Sequence, residues 1–165
     1  MIIAVMSDTH DHIWNVQKVL GIVKERGVKA MVHCGDFVAP FVLKALNEGA
    51  VPVHGVFGNN DGDQFTLTRL SLTVLSHVTL YGLVGECDLG GFRVGFTHYR
   101  PVAEGLAASN RFDLVCFGHS HEACLETVGR TTLLNPGEVM GKDGHPGFYL
   151  VDTTQGRYDR IDLSS

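Results

Sequence analysis

Long apolar runs, paired thiols and excess positive charge are all missing from this 165-residue chain, and each absence removes a class of protein. No apolar stretch approaches the roughly 20 residues of a membrane-spanning helix, so no membrane partner is expected. Four cysteines, Cys34, Cys87, Cys116 and Cys124, form no C-x-x-C pair, and three lie in strand-like apolar runs. That pattern suits reduced structural thiols rather than a disulfide framework. Thirteen basic residues against 18 acidic ones leave a formal charge of −5 with histidine neutral. No global basic field exists to hold a phosphate backbone, so stable nucleic-acid binding is not expected. Met1 to Ser7 is apolar but short, without a basic leader or cleavage site; it reads as a first strand, and the cytoplasm is the expected compartment. Two catalytic grammars are also absent. Ser120 sits in Gly118-His119-Ser120-His121-Glu122 rather than in G-x-S-x-G, and Gly141-Lys142 is followed by Asp143, which breaks a phosphate-binding P-loop.

What remains is an ordinary globular composition, 44% hydrophobic and 19% charged, on a chain long enough for one domain spanning residues 1–165. Two excesses stand out: 20 glycines, about 12% against a usual ~7%, and nine histidines. In the first half the apolar pattern alternates between strand and helix. Met1 to Ser7, Val28 to Cys34 and Val51 to Phe57 are continuous apolar runs suited to buried strands. Ile13, Val16, Leu20 and Val23 recur at helical spacing before Gly27, and Pro40 to Leu46 starts and carries a short helix. Asp63 to Ser76 fits helix only loosely. Beyond it, Leu83 to Leu89 and Phe92 to Thr97 flank Gly90-Gly91, a two-residue hairpin signal. A short helix over Arg100 to Asn110, a buried strand over Asp113 to Phe117 and three short strands (Thr131 to Leu134, Gly147 to Thr153, Arg157 to Leu163) complete an α/β fold with a mixed, two-layer β core.

Polar residues competent for metal binding begin where the apolar runs stop. IIAVMS leads into Asp8-Thr9-His10, MVHC into Gly35-Asp36, VHGVF into Gly58-Asn59-Asn60-Asp61, FRVGFT into His98, and DLVCF into Gly118-His119-Ser120-His121. Ligands of open α/β sheets bind at the carboxyl ends of strands, so five such endings are expected to converge on one crevice. Residues two apart in extended chain point the same way, which would make Asp8 with His10, and His119 with His121, two-toothed clamps. Glycines directly before Asp36, Asn59 and His119 permit tight turns and close backbone approach. Two carboxylates, four imidazoles and one amide exceed what a single four-coordinate ion needs, so two divalent ions are implied. Without a thiolate the set suits Mn²⁺, Fe²⁺, Zn²⁺ or Ni²⁺. Two such ions against two carboxylates leave a locally cationic centre that would attract phosphate.

This order of motifs resembles the calcineurin-like metallophosphoesterase superfamily, and within it the small bacterial and archaeal phosphodiesterases. The residues that carry the resemblance are Ser7-Asp8-Thr9-His10-Asp11-His12, His33-Cys34-Gly35-Asp36, Gly58-Asn59-Asn60-Asp61-Gly62, Thr97-His98, Gly118-His119-Ser120-His121 and Asn135-Pro136-Gly137. The resemblance implies a four-layer α/β/β/α sandwich of two mixed sheets flanked by helices. It further implies that Asp8, His10 and His121 hold one ion, that Asn59, His98 and His119 hold the other, and that Asp36 bridges. Manganese is the first choice of ion, with nickel, zinc and iron as alternatives. Asp36, Asn60, Asp61 and His98 become the catalytic group, with Asp61 fixing a neighbouring side chain. The implied reaction is in-line attack on phosphorus by a hydroxide bound to or bridging the ions. The implied substrate is a small phosphodiester or nucleotide.

Two positions depart from the family pattern. Many members carry His directly after the ligand Asn, where it protonates the leaving oxygen; here Asn60 stands there, able to hydrogen-bond a phosphate but not to donate a proton as an acid. Good leaving groups are therefore expected. After His98 come Tyr99 and Arg100, read either as a stacking group and a phosphate clamp or as a half-buried Tyr and a surface Arg. His12 is either a proton donor or a helix-start residue, and His33 is a packed neighbour of the site. Phe37, Phe41 and Val42 could form an apolar surface for a homo-oligomer or simply be buried. The competing function is a catalytically weak or inactive scaffold on the same fold, as in a coat subunit of similar size; that reading requires eroded ligands. A nuclease ranks last, because this chain is short and acidic.

Overall fold

The computed structural model describes residues 1–164. Met1 to Ser7 forms strand β1 (Ile2–Met6), and its unbroken apolar run serves two cores at once. Ile3 and Val5 face one side of the sheet, Ala4 and Met6 the other, and all four are fully buried, as a strand covered on both faces requires. Helix α1 (Ile13–Glu25) buries Val16, Val19 and Val23 on one face. Strand β2 (Ala30–His33), helix α2 (Pro40–Glu48), strand β3 (Val53–Gly55), helix α3 (Gln64–Thr73) and strand β4 (Val78–Leu80) follow. Strands β1 to β4 pair in parallel, each joined to the next through a helix.

The second half is built around the hairpin β5 (Val84–Asp88) and β6 (Arg93–Thr97). Gly90 and Gly91 both adopt positive φ, 71° and 90°, at its tip, the conformation that a tight two-residue turn demands. Helix α4 (Arg100–Ala108) leads to β7 (Leu114–Cys116), β8 (Cys124–Val128), β9 (Thr131–Asn135), β10 (Gly147–Asp152) and β11 (Arg157–Asp162). The strands form a six-stranded sheet, β11-β10-β1-β2-β3-β4, and a five-stranded sheet, β5-β6-β7-β9-β8. Both are mixed: β10 is antiparallel to β1, and β5 and β8 are antiparallel edges beside the parallel set β6, β7 and β9.

Three apolar clusters mark three interfaces between layers. One joins α1, α2 and α3 to the six-stranded sheet, through residues such as Val19, Leu43, Leu46 and Met31. The second lies between the sheets, where Ile3, Val5 and Val32 meet Phe96, Leu114 and Leu134. The third packs Ala103 and Ala107 of α4 on Val115, Phe117 and Leu133. The result is the four-layer α/β/β/α sandwich with two mixed sheets. No helix among the described residues is long and apolar enough to cross a membrane.

Some expectations need correction. The third apolar run shortens to Val53–Gly55, and β4 and β8 were not foreseen. Strand β8 is an edge with mostly exposed side chains, so it shows no inward-outward alternation to read. Helix α3 buries only Leu67 fully, which accounts for its loose periodicity. Phe37 and Val42 are fully buried, and only Phe41 of that apolar trio faces solvent, at 64% exposure.

Candidate metal centre

The centre assembles at the carboxyl ends of five strands from both sheets. Asp8 follows β1, Asp36 follows β2 and Asn59 follows β3, while His98 follows β6 and His119 and His121 follow β7. The backbone turns sharply at these ends. Asp8, His10, Asp36, His119 and His121 all have positive φ, between 39° and 71°. The clamps therefore arise from left-handed turns and not from the extended geometry that spacing suggested. Such turns are costly for residues with side chains and are tolerated where the surroundings impose them. Backbone bonds impose them here: the Asp8 N–H donates to the Gly35 carbonyl and the His10 N–H to the Asp36 carbonyl, each at 3.1 Å. Across the sheets, the His119 N–H donates to Asp8 Oδ2 at 3.1 Å. The same crowding explains two glycines. A Cβ on Gly35, whose φ is +101°, would lie 2.8 Å from His98 Nδ1, and one on Gly118 would collide with Ser7 Oγ and lie 2.7 Å from Asp8 Oδ2.

Ligand-competent nitrogen and oxygen atoms converge in this cleft. His98 is fully buried, and its Nδ1 faces the Cys34 carbonyl at 2.7 Å. A carbonyl can only accept, so Nδ1 carries a proton and Nε2 is the nitrogen turned inward. Nε2 meets Asn59 Oδ1 at 3.0 Å and lies 3.6 Å from Asp36 Oδ2. On the other side of Asp36, its Oδ2 lies 3.3 Å from His10 Nε2, while Asp8 Oδ1 lies 3.8 Å from His10 Nε2 and 3.3 Å from His121 Nε2. Asp8 Oδ1 and His10 Nε2 are buried without a hydrogen-bond partner among the described residues. Buried unpaired polar atoms are expensive, and a cation at their meeting point is what they fit. Asp8, His10 and His121 form one such group and Asp8, Asp36 and His98 another. His119 is exposed and packs edge-on to His98 with ring centres 5.1 Å apart, lining the same cleft of about 310 Å³ as His10, Asp36 and Asn59.

Titration behaviour follows from this crowding. Burial works to raise the Asp36 carboxyl, but the His10 imidazole 3.3 Å away and the hydrogen bonds from Asn60 outweigh it and hold it far below the usual carboxylate range. Asp8 is likewise lowered on balance, burial being overcome by His10. His10, whose Nε2 lies between the Asp36 and Asp8 carboxylates, is raised to about 9 by them, so its proton occupies the place that a metal cation would fill.

The surrounding residues sort clearly. Asn60 donates its backbone N–H to Asp36 Oδ1 at 2.8 Å and its side-chain amide to Oδ2 at 2.7 Å. Its amide is thus engaged in orienting Asp36 and is not free for a phosphate. Asp61 does not line the cleft. Its carboxylate accepts from the backbone of Asp36, Val38 and Gly58 at 2.7–3.0 Å, stapling the β2 and β3 turns together, and burial raises its pKa. His33, buried and pushed down to about 3 by desolvation, accepts from the Gly35 N–H and meets Thr9 Oγ1 at 3.1 Å. His12 caps α1, accepting from the Asn15 N–H. Arg100 is a surface residue paired with Glu104 and Glu126, and Tyr99 packs edge-on between His98 and His119. Two residues of this neighbourhood escaped the sequence reading: Lys142 on the cleft rim, and Glu138, fully buried against His121.

Comparison with known proteins decides the family. Residues 1–156 match the calcineurin-like phosphoesterase superfamily domain. The chain belongs to that superfamily. It is 33% identical to phosphodiesterase MJ0936 of Methanocaldococcus jannaschii across 99% of both chains, and 28% identical to phosphodiesterase YfcE of Escherichia coli K12 across 87% of this chain and 82% of that protein. A solved archaeal phosphodiesterase superposes with a TM-score of 0.91 at 32% identity, covering 99% of this chain and 100% of that one. Vps29 of Chaetomium thermophilum shares the fold, with a TM-score of 0.72 at 16% identity over 98% and 94% of the two chains. As a calcineurin-like phosphoesterase the chain is a phosphoric ester hydrolase that uses divalent metal.

Proposed function

We propose that this calcineurin-like phosphoesterase is a phosphodiesterase with two divalent ions, acting on small phosphodiesters or nucleotides. The observation that carries the reading is the position of Asp36, whose Oδ2 lies 3.3 Å from His10 Nε2 and 3.6 Å from His98 Nε2. One carboxylate thus stands between two sets of ligand-competent atoms. Asp8, His10 and His121 would hold the first ion, Asn59, His98 and His119 the second, with Asp36 shared. The all-nitrogen-and-oxygen set makes Mn²⁺ the first ion to test, ahead of Ni²⁺, Zn²⁺ and Fe²⁺. Bound there, such ions polarise phosphoryl oxygens and lower the pKa of coordinated water.

The chain's own residues do the rest. Cys34 fixes His98 through Nδ1 so that only Nε2 is offered to the cleft. Asn60 holds both oxygens of Asp36, and Asp61 holds the turns on which Asp36 and Asn59 stand. Lys142 brings an ammonium group to the rim, where it meets an anionic substrate. Asn60 stands where a protonating His would sit in many relatives and cannot release a proton, so leaving groups of low pKa are favoured. The scaffold alternative calls for lost ligand groups, and all seven positions retain competent side chains. The test is hydrolysis of an aryl phosphodiester and an aryl phosphomonoester by stripped protein refilled with Mn²⁺ or Ni²⁺. Diester turnover that needs metal supports the reading; two bound ions with turnover of neither ester would overturn it.

A further inference from the structure

Glu138 is 0% exposed, and a buried carboxylate is costly unless its oxygens are paired. One oxygen is well served: Oε1 accepts from the Asp143 and Gly144 N–H groups, both at 2.6 Å. The other, Oε2, has no hydrogen-bond partner and lies 3.1 Å from His121 Nδ1. Asp143 Oδ2, on a side chain 55% exposed, is the hydrogen-bond partner of the same nitrogen at 3.0 Å. The segment carrying Glu138 is itself tied to the centre, because the Val139 and Met140 N–H groups donate to the Ser7 and Asp8 carbonyls at 3.1 Å. Asn15 secures it further, donating to the Val139 carbonyl at 2.8 Å.

We propose that Glu138 is a positioning residue that, with Asp143, keeps the proton of His121 on Nδ1 and its Nε2 lone pair turned toward Asp8. Ionised carboxylates only accept, and Nδ1 faces two of them at shorter distance where Nε2 faces one, so a neutral ring keeps its proton on Nδ1. The ring then presents a lone pair from Nε2, 3.3 Å from Asp8 Oδ1. A carboxylate behind a ligating imidazole fixes its ring form and strengthens it as a ligand. Glu138 contributes twice: Oε2 faces the ring directly, and Oε1 shapes the turn that brings Asp143 to it and carries Lys142 on the rim. The consequence for metal affinity rests on the two-ion reading; the ring form does not.

The test is nitrogen NMR of His121 in protein labelled at histidine, stripped of metal and held at a pH where the ring is neutral, combined with metal titration. Wild type shows protonated Nδ1. Glu138→Gln keeps Oε1 on the two backbone donors and turns an amide N–H₂ toward Nδ1, so a population protonated at Nε2 appears. Its metal affinity drops by about 10- to 100-fold at unchanged saturating stoichiometry. Asp143→Asn removes the exposed hydrogen-bond partner and moves the ring form less than E138Q does, because the buried Glu138 Oε2 still faces Nδ1. A wild-type ring protonated at Nε2 overturns the proposal without any variant, which also covers an E138Q protein that does not fold. Unchanged ring form and affinity in E138Q overturn it too, as does a flip in Asp143→Asn alone. Loss of one ion at saturation in E138Q would make Glu138 a ligand in its own right, against the proposal. Wild type that binds no ion defeats the two-ion reading while the ring form still decides this one.

Discussion

Single side chains differ in whether they face the cleft or hold what does. Asp36→Asn keeps size and the contacts to Asn60 partly intact but removes the charge shared between both groups. Its metal-dependent turnover should fall by more than the about 10- to 100-fold typical of changes behind the ligands, measured as kcat/KM at saturating Mn²⁺. Loss of less than tenfold would mean that Asp36 bridges nothing. Asp61→Ala predicts the opposite balance. It leaves the buried Asp36 and Gly58 N–H groups and the half-buried Val38 N–H without their carboxylate, at about 1–3 kcal/mol for an unsatisfied buried group. A lowered denaturation midpoint in the metal-free protein checks this, and an unchanged midpoint would contradict the staple.

Elements show what could be read in the sequence and what could not. The three parallel strands and the helices between them were legible because buried parallel strands are written as unbroken apolar runs and α1 carries a clear helical spacing. Asp8, Asp36, Asn59, His98, His119 and His121 were legible as a convergent set because each directly follows such a run. Their pairing has a different origin from the alternation of extended chain, since left-handed turns set Asp8 beside His10. Strands β4 and β8 were silent because a three-residue strand and an exposed edge carry no alternation. Glu138 and Lys142 were silent because only the folded chain brings residues so distant in sequence against His121 and the β1 turn. The glycine at the end of β7 gives a prediction at this scale. A methyl group in Gly118→Ala meets Ser7 Oγ and Asp8 Oδ2, so the turn must shift and metal affinity must fall while the fold persists. Competition with a metal-sensitive dye measures it, and wild-type affinity would show that the turn has slack.

Stability of the whole molecule couples to the centre through protons. His10 is raised from 6.5 to about 9 by its carboxylate partners, so its contribution to the metal-free fold is complete below pH 6.5 and disappears as pH rises toward 9. His33 is lowered to about 3 by burial, so its penalty appears as pH falls from 6.5, when the unfolded chain takes up a proton that the folded one refuses. Thermal unfolding of metal-free protein should therefore be most resistant near pH 6.5, and metal loading should remove the alkaline decline because the ions take the place of the His10 proton. A metal-free midpoint that keeps rising from pH 6.5 to 9 would contradict this. We further propose that residues 1–165 fold as one domain, its four layers joined by three apolar interfaces; one cooperative transition is expected, and two separated transitions would argue for independent halves.

In the proposed two-ion centre Asp36 stands between both ions. Anomalous diffraction from Mn²⁺-loaded crystals addresses this directly. Two peaks per chain are predicted, one among Asp8, His10 and His121, the other among Asn59, His98 and His119, with the Asp36 carboxylate in contact with both. A single peak, or peaks that leave Asp36 untouched, would contradict it.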